Sequence, residues 1–259
     1  MITKRNWAAI MQYAQSHQLE HRMDQVFETL KVILPLLGTQ SQSRAMINRI
    51  GIVLLQEKVR VVAPSCPDYA HNDGRYNFTT VGDGVPLLSQ LHIQFLETIT
   101  PAIPHAHCEI VVADQEAEDT ALCRKIGQTQ EGFLDTIHKS ILATQEYISN
   151  KGWTVSAMTS RFPELRSLEI ATAEQIASDP HLQYRIDNDT RARSTMYEKI
   201  GVYDFANMRQ RTIKTASQYG ALAQIAARDK LLVCNHETVN LGWYNRYNAA
   251  VLHNPVSVY

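Results

Sequence analysis

The sequence is organised around residues 59–76, VRVVAPSCPDYAHNDGRY. Val59, Val61 and Val62 form a short run of β-branched residues that ends in a cluster of turn-forming residues, which is typical of a buried strand. Three similar runs follow, each separated from the one before by helical sequence: CEIVVAD (108–114), GWTVSAMT (152–159) and KLLVCNH (230–236). This alternation predicts a mainly parallel sheet that is covered by helices.

Strands are expected at about 59–64, 108–113, 153–158 and 231–234, in a Rossmann-like α/β sheet of about five strands with helices on both faces. Residues 1–57 are expected to form a helical front section packed on this sheet, because apolar residues recur there at three- and four-residue spacing. A length of 259 residues and a hydrophobic content of 44% suffice for a sizeable core, so a single domain, 1–259, is predicted.

The composition restricts the class of partner. A net charge of −1 gives no general attraction to nucleic acid or to a membrane surface, and no apolar stretch reaches the roughly 18–20 residues that cross a bilayer. Four cysteines without CxxC spacing are typical of reduced thiols in a cytoplasm, and the amino terminus lacks the features of a secretory signal. We therefore expect a cytoplasmic protein with a small-molecule partner; a homodimer is left open.

Polar residues follow each predicted strand, and in parallel sheets ligands bind beyond the carboxyl ends of the strands. These residues are therefore expected to share one cleft: Ser65, Cys66, Asp68, Tyr69, Asp114, Glu116, Arg161, Asn235, His236 and Glu237. His236 is favoured as the group that moves a proton, because the ordinary pKa of histidine is about 6.5. The alternative is that His236 only caps the sheet edge by binding a backbone carbonyl.

A cation-rich segment precedes the last predicted strand. Between Arg185 and Arg228 there are eight Lys and Arg residues and four acidic residues. This excess indicates either a solvated helix face or an anion site, for which the candidates are Arg191, Arg193, Arg209, Arg211 and Lys214. Tyr219 lies on the same helical stretch, where its hydroxyl could either reach a ligand or be satisfied within the core.

Cofactor signals are weak. The sequence contains neither GxGxxG nor GxxxxGK[ST], so a dinucleotide fingerprint and a P-loop are both missing, and no cofactor is predicted. His105, His107 and Cys108 contain residue types that bind metals. They precede their strand, on the edge opposite the expected site, and no second pair completes a ligand set. No metal site is therefore predicted, although metal binding by these three residues is left open.

The order of elements suggests a family. A strand ends in a Pro/Cys-rich turn (63–67), the helix LLSQLHIQFLETI follows, a second strand ends in an acidic turn (113–119), and Ala216-x-x-Tyr219-Gly220 precedes a strand ending in His236. This order resembles the isonitrile (isocyanide) synthases, which join an amino acid's nitrogen to a carbon of ribulose 5-phosphate. The resemblance covers about residues 45–237. It implies a biosynthetic transferase or lyase of specialised metabolism that acts on an amino acid or a phosphate-bearing metabolite.

Two alternatives are carried with this hypothesis. The tRNA-dependent cyclodipeptide synthases have a similar order of elements, and Ser65, Tyr219 and His236 match their nucleophilic serine, helix tyrosine and terminal-strand histidine. That resemblance implies acyl transfer from aminoacyl-tRNA through Ser65, although residues 119–150 lack a strongly basic helix. The other alternative is a ligand-binding protein without catalysis. In the leading hypothesis the catalytic candidates are Ser65, Asp114, Tyr219 and His236. The substrate-binding candidates are Cys66, Asp68, Tyr69, Glu116, Arg161, Arg191, Arg193, Arg211, Lys214, Asn235 and Glu237.

Overall fold

The computed structural model describes residues 2–66, 69–72, 75–80, 84–125, 127–197, 204–235 and 241–255. Three helices precede the first strand: α1 (Lys4–Ser16), α2 (Met23–Ile33) and α3 (Arg44–Leu54). Helix α1 begins after Thr3 and helix α3 after Ser43, and each of these hydroxyls accepts a hydrogen bond from a backbone N–H of the first turn. The predicted helical front section is therefore present.

The rest of the described chain contains both strands and helices. In chain order they are β1 (Val59–Ser65), β2 (Tyr69–Asn72), β3 (Arg75–Thr80), α4 (Leu87–Ile99), β4 (Ala106–Val112), α5 (Thr120–Lys125), α6 (Gln130–Tyr147), β5 (Thr154–Ala157), α7 (Met158–Arg161), α8 (Leu165–Ser178), α9 (Pro180–Tyr197), α10 (Phe205–Arg228), β6 (Leu232–Asn235), α11 (Leu241–Arg246) and β7 (Ala250–His253). Short 3-10 turns connect several of them.

Five strands form one sheet in the order β5-β4-β1-β6-β7, and each neighbouring pair is parallel. This confirms the prediction of a mainly parallel, Rossmann-like sheet of about five strands. Strands β2 and β3 pair antiparallel in a separate two-stranded sheet. The fifth strand of the main sheet, β7, lies in the tail that the sequence left unassigned.

Helices cover both faces of the main sheet. Ser65 and Val112 are paired in register and point to one face, where the side chain of Ser65 contacts α4 and that of Val112 packs against α6. On the other face α10 packs against α8, α9 and α11. Strand residues are consequently buried on both sides from Val61 to Ser65 and throughout β6 and β7, which explains their continuous apolar sequence.

The front section also protects an edge of the sheet. Strand β7 is an edge strand, whose unpaired backbone groups could otherwise pair with another chain. The Ser41 hydroxyl donates to the carbonyl of Val251 at 2.8 Å and accepts from the N–H of His253 at 2.7 Å. The N–H of Gly38 donates to the carbonyl of His253 at 2.9 Å. Residues 38–41 therefore satisfy part of this edge.

The strand order determines where a ligand can bind. The chain runs outward from β1 to β4 and β5, and then returns to the other side of β1 to form β6 and β7. In open parallel sheets such a reversal leaves a crevice outside the carboxyl ends of the strands.

No helix in the described part of the chain is long and apolar enough to span a membrane.

Candidate active site at the carboxyl edge of the sheet

A cleft with a cavity volume of about 30 Å³, within about 380 Å³ of empty space that includes open solvent, lies at the carboxyl edge of the sheet. The carboxyl ends of β1, β4 and β5 form one side of the cleft, and α10 forms the other. Its walls are Pro64, Ser65, Cys66, Ala113, Glu116, Met158, Thr215, Gln218, Tyr219 and Leu222. Four residues that the sequence predicted for one cleft, Ser65, Cys66, Glu116 and Tyr219, are thus brought together.

The exit of β1 supplies a hydroxyl and a thiol to the cleft. Side chains alternate along a strand, so Ser65 points to the opposite face from its neighbours Pro64 and Cys66. The Ser65 hydroxyl is 1% exposed and lies 2.9 Å from the hydroxyl of Ser89 on α4. Cys66 is half-buried. The thiol of Cys66 is therefore the more accessible of the two nucleophiles.

The other three cysteines are buried and poorly suited to reaction. Burial raises the pKa of Cys108 to about 12 and raises the pKa of Cys234 well above its ordinary value. Burial, followed by the charge of Asp119, also raises the pKa of Cys123. Because the thiolate is the reactive form of cysteine, these three side chains are held as inert thiols. Cys66 is the partly exposed cysteine, and it lines the cleft.

The acidic turn after β4 supplies the carboxylate of Glu116. Arg211 lies between Glu116, at 3.0 Å, and Asp119, and its side chain is only 10% exposed. Lys214 donates to the carbonyl of Gln115 at 2.9 Å and lies 3.6 Å from Glu118. These two cations of α10, predicted to bind a substrate anion, therefore hold the acidic turn against α10.

Arg191 and Arg209 are not among the residues that line the cleft. Arg209 pairs with Asp187 at 2.7 Å, and Arg191 donates to the side chain of Asn188 at 2.9 Å on an exposed face of α9. Arg193 also lies on α9. Arg191 and Arg209 are therefore bonded to neighbouring side chains, and anion binding by this segment stays a prediction.

Tyr219 is placed by close packing around α10. Its ring contacts the ring of Tyr244 edge to face, with centroids 6.2 Å apart. The next residue, Gly220, has no room for a side chain: a Cβ there would lie 2.6 Å from Cγ2 of Thr172 and 3.2 Å from Cε3 of Trp243. Helix α10 therefore approaches α8 and α11 closely, and this fixes the position from which Tyr219 enters the cleft.

Two predicted site residues serve local structure instead. Asp114 does not line the cleft; its carboxylate accepts from the backbone N–H of Thr159 at 3.1 Å and from the Thr159 hydroxyl, and so joins the end of β4 to the start of α7. Arg161 pairs with Glu109 at 2.6 Å and lies over the ring of Phe162. Glu116, two residues after Asp114, takes the position in the cleft that we expected for Asp114.

The exit of β6 is described only as far as Asn235. Asn235 is buried, its carbonyl accepts from the N–H of Asn254 at 2.8 Å, and it is not among the lining residues. Tyr69 is the first residue of β2. Asp68, His236 and Glu237 lie outside the described residues, so the hypothesis that His236 moves a proton beside Asp68 and Asp114 stays a prediction.

Helix α4 contributes buried polar residues that the sequence analysis missed. His92 is fully buried, with Nε2 at 3.1 Å from the carbonyl of Pro64 and Nδ1 at 3.3 Å from Sγ of Cys234. Because a carbonyl only accepts, Nε2 carries the proton and Nδ1 accepts from the thiol. The sequence signal for these buried polar residues was available: Ser89 and His92 lie three residues apart on the apolar face of α4. Together they hold the exit of β1.

The histidines near β4 do not form a metal centre in the described structure. His105 and His107 are exposed, whereas Cys108 is fully buried on β4. Among the described residues there is no group of three or more His, Cys, Asp or Glu side chains that could hold a metal ion.

Comparison of the chain with protein-family models, with curated proteins and with solved structures finds no match.

Proposed function

We propose that this chain is a small-molecule biosynthetic enzyme, a transferase or lyase, that binds an amino-bearing substrate in the cleft between the carboxyl edge of the sheet and α10. The observation that carries the proposal is the convergence of Cys66, Glu116 and Tyr219. They come from three separate elements, and they line one concave site whose other walls are largely apolar. Such a combination of apolar walls with a few converging polar groups is characteristic of ligand sites.

The charge of the walls favours an amine over a phosphate. Glu116 is the charged residue among the described lining residues, and its cationic partner Arg211 is not one of them. A phosphate that entered the cleft would meet the carboxylate, whereas a primary ammonium group would gain a charge-assisted hydrogen bond. Of the two substrate classes that the isonitrile synthase resemblance implies, the amino acid is therefore the better match for this cleft.

The remaining lining groups supply chemistry and shape. The thiol of Cys66 provides a nucleophile, and the hydroxyl of Tyr219 can give or take a proton at the reacting atom. Apolar walls at Pro64, Met158 and Leu222 suit an apolar substrate side chain. In this proposal Glu116 binds the amine, Cys66 and Tyr219 act on the bound molecule, and Ser89 and His92 hold the β1 exit from outside the cleft.

Two alternatives make different predictions for the same residues. Acyl transfer from aminoacyl-tRNA would use the hydroxyl of Ser65, a residue that is almost fully buried and whose hydroxyl contacts that of Ser89. It predicts a salt-sensitive tRNA complex. If the chain is a ligand-binding protein without catalysis, variants of the cleft residues should bind the ligand more weakly, and the unmodified protein should show no turnover. The enzyme proposal predicts instead that Cys66→Ala and Tyr219→Phe retain ligand binding and lose turnover.

Ligand-induced stabilisation tests the proposal before the reaction is known. The panel consists of the twenty L-amino acids, their amides, the corresponding decarboxylated amines, inorganic phosphate and ribulose 5-phosphate. We expect at least one amine, present at about 100 times its Kd, to stabilise the protein by about 2.7 kcal/mol and to raise its Tm by about 5 °C. The phosphates should give no shift.

The control distinguishes the cleft from the surface beside it. Glu116→Gln removes the carboxylate of the cleft, whereas Glu118→Gln removes an exposed carboxylate of the same turn that pairs with Lys214 and Arg166. The Tm shift should disappear in Glu116→Gln and persist in Glu118→Gln. Stabilisation by phosphates alone, or equal effects of the two variants, would contradict the proposal.

A further inference from the structure

One lining residue has an unmet hydrogen-bonding requirement. Gln218 of α10 is 8% exposed, and its side-chain amide nitrogen is buried without a hydrogen-bond partner. Two other buried polar side chains of α10 form hydrogen bonds within the helix. Thr212 donates to the carbonyl of Met208 at 2.9 Å, and Ser217 donates to the carbonyl of Ile213 at 2.8 Å. Gln218 thus stands out as the buried amide at the wall of the cleft.

An unpaired buried amide carries an energetic cost. It loses its hydrogen bonds to water on folding and gains none from the protein, which is why such groups are uncommon in folded proteins. Both hydrogens of the amide nitrogen are donors, so the group that satisfies it must be an acceptor. Because Gln218 lines the cleft, a bound molecule can supply that acceptor.

We infer that Gln218 is a specificity-determining residue of the cleft and that its amide nitrogen donates to a carbonyl-type oxygen, of an amide or a carboxylate, on the bound amine. This inference rests on the proposed function and adds the second recognition element of the substrate. Glu116 offers an acceptor to the ammonium group, and Gln218 offers a donor to the carbonyl group. A simple alkylamine contacts Glu116 but leaves the amide of Gln218 buried and unpaired. It therefore binds more weakly than an amine that also carries a carbonyl group.

A second buried amide provides a matched control. Gln115 is 3% exposed, and both polar atoms of its side chain are buried without a hydrogen-bond partner, but it is not one of the lining residues. Gln115→Met and Gln218→Met therefore remove the same chemical group from two buried positions, only one of which lines the cleft. Any effect common to both variants reports on folding, and an effect confined to Gln218→Met reports on recognition.

The test measures the Kd of three probes that share one side chain: L-leucinamide, L-leucine and 3-methylbutan-1-amine. For the unmodified protein we expect the better of the two carbonyl-bearing probes to bind about tenfold more tightly than the alkylamine. Comparison of L-leucinamide with L-leucine distinguishes an amide acceptor from a carboxylate. In Gln218→Met the advantage should fall below about threefold, with the Kd of the alkylamine unchanged, while Gln115→Met should retain it.

The outcomes separate this inference from the proposed function. If all three probes bind and the binding depends on Glu116, but Gln218→Met keeps the tenfold advantage, the role of Gln218 is overturned and the proposed function stands. If neither these probes nor the matching amide, amino acid and alkylamine of any other side chain in the panel bind the unmodified protein, both are overturned. Gln218→Leu removes the same donor with a different shape, and it replaces Gln218→Met if that variant does not fold.

Discussion

Cys66 differs from the other cysteines in its accessibility. The thiols of Cys108, Cys123 and Cys234 are buried with raised pKa values, whereas Cys66 is partly exposed at the wall of the cleft. We therefore expect iodoacetamide to alkylate Cys66 at least about tenfold faster than any other cysteine, since the thiolate fraction falls tenfold for each unit by which the pKa exceeds the pH. Mass spectrometry of peptides at timed intervals measures this. Cys66→Ser should abolish the fast phase; labelling of a buried cysteine at the same rate would contradict the account.

At the residue scale, the sequence identified the chemical groups of the cleft better than their roles. Ser65, Cys66 and Glu116 could be predicted because residues that follow parallel strands share an edge. Asp114 and Glu116 could not be told apart, because the 3-10 turn after β4 decides which carboxylate faces the cleft and which caps α7. Gln218 could not be found at all, because an unpaired amide is recognisable only when its surroundings are known.

Helix α10 depends on a glycine at its closest contact. Gly220→Ala would place a Cβ 2.6 Å from Thr172 on α8, and the helices would have to separate. We expect a loss of about 1–3 kcal/mol in the free energy of unfolding, as for other overpacked cores, and weaker ligand binding because Tyr219 is adjacent. Urea denaturation measures the loss. Gly132→Ala, the same change at an exposed position in the first turn of α6, is the control and should cost little. Equal losses in Gly220→Ala and Gly132→Ala would show that the close contact of Gly220 with Thr172 does not limit the stability of the fold.

Helix α8 carries a buried carboxyl group with a pH-dependent contribution. Burial raises the pKa of Glu169 above its ordinary value of 4.5, although the charge of Arg166 opposes this. The folded protein then holds a proton that the unfolded chain has already lost, so stability falls as the pH rises from 4.5 through the raised pKa. Between about pH 4 and pH 7, the free energy of unfolding should therefore fall more in the unmodified protein than in Glu169→Gln. Parallel pH profiles would contradict this assignment.

At the scale of elements, most helices and four strands of the main sheet were predictable from apolar periodicity and caps. Ser43 and Asp204 cap α3 and α10, and both are residue types that favour the start of a helix. Strand β7 was missed because its apolar run, Ala249 to Leu252, is only four residues long and lies in a tail rich in aromatic and polar residues. It pairs with β6 through backbone groups, and such pairing cannot be recognised from so few residues.

At the scale of the whole molecule, the front section and the sheet are predicted to unfold together as one domain. Ser41 is fully buried and bonds two backbone groups of β7, more than 200 residues away in sequence. Ser41→Ala leaves both groups unpaired, and we expect a loss of about 1–3 kcal/mol in the free energy of unfolding with a single transition retained. Calorimetry measures both. Ser178→Ala, at the exposed end of α8, should have little effect. Two separate transitions would contradict a single domain.

The central claim is that the cleft at the carboxyl edge of the sheet is the substrate site. Protection of Cys66 from iodoacetamide by a bound amine tests it most directly, because Cys66 lies in the wall of the cleft and its labelling is followed at one known position. The amine that gives the largest Tm shift in the panel is added at about 100 times its Kd, at which nearly all of the protein is bound. The account predicts that alkylation of Cys66 slows at least about tenfold, as expected if only the free protein reacts. An unchanged rate at saturation would place the amine elsewhere and contradict the account.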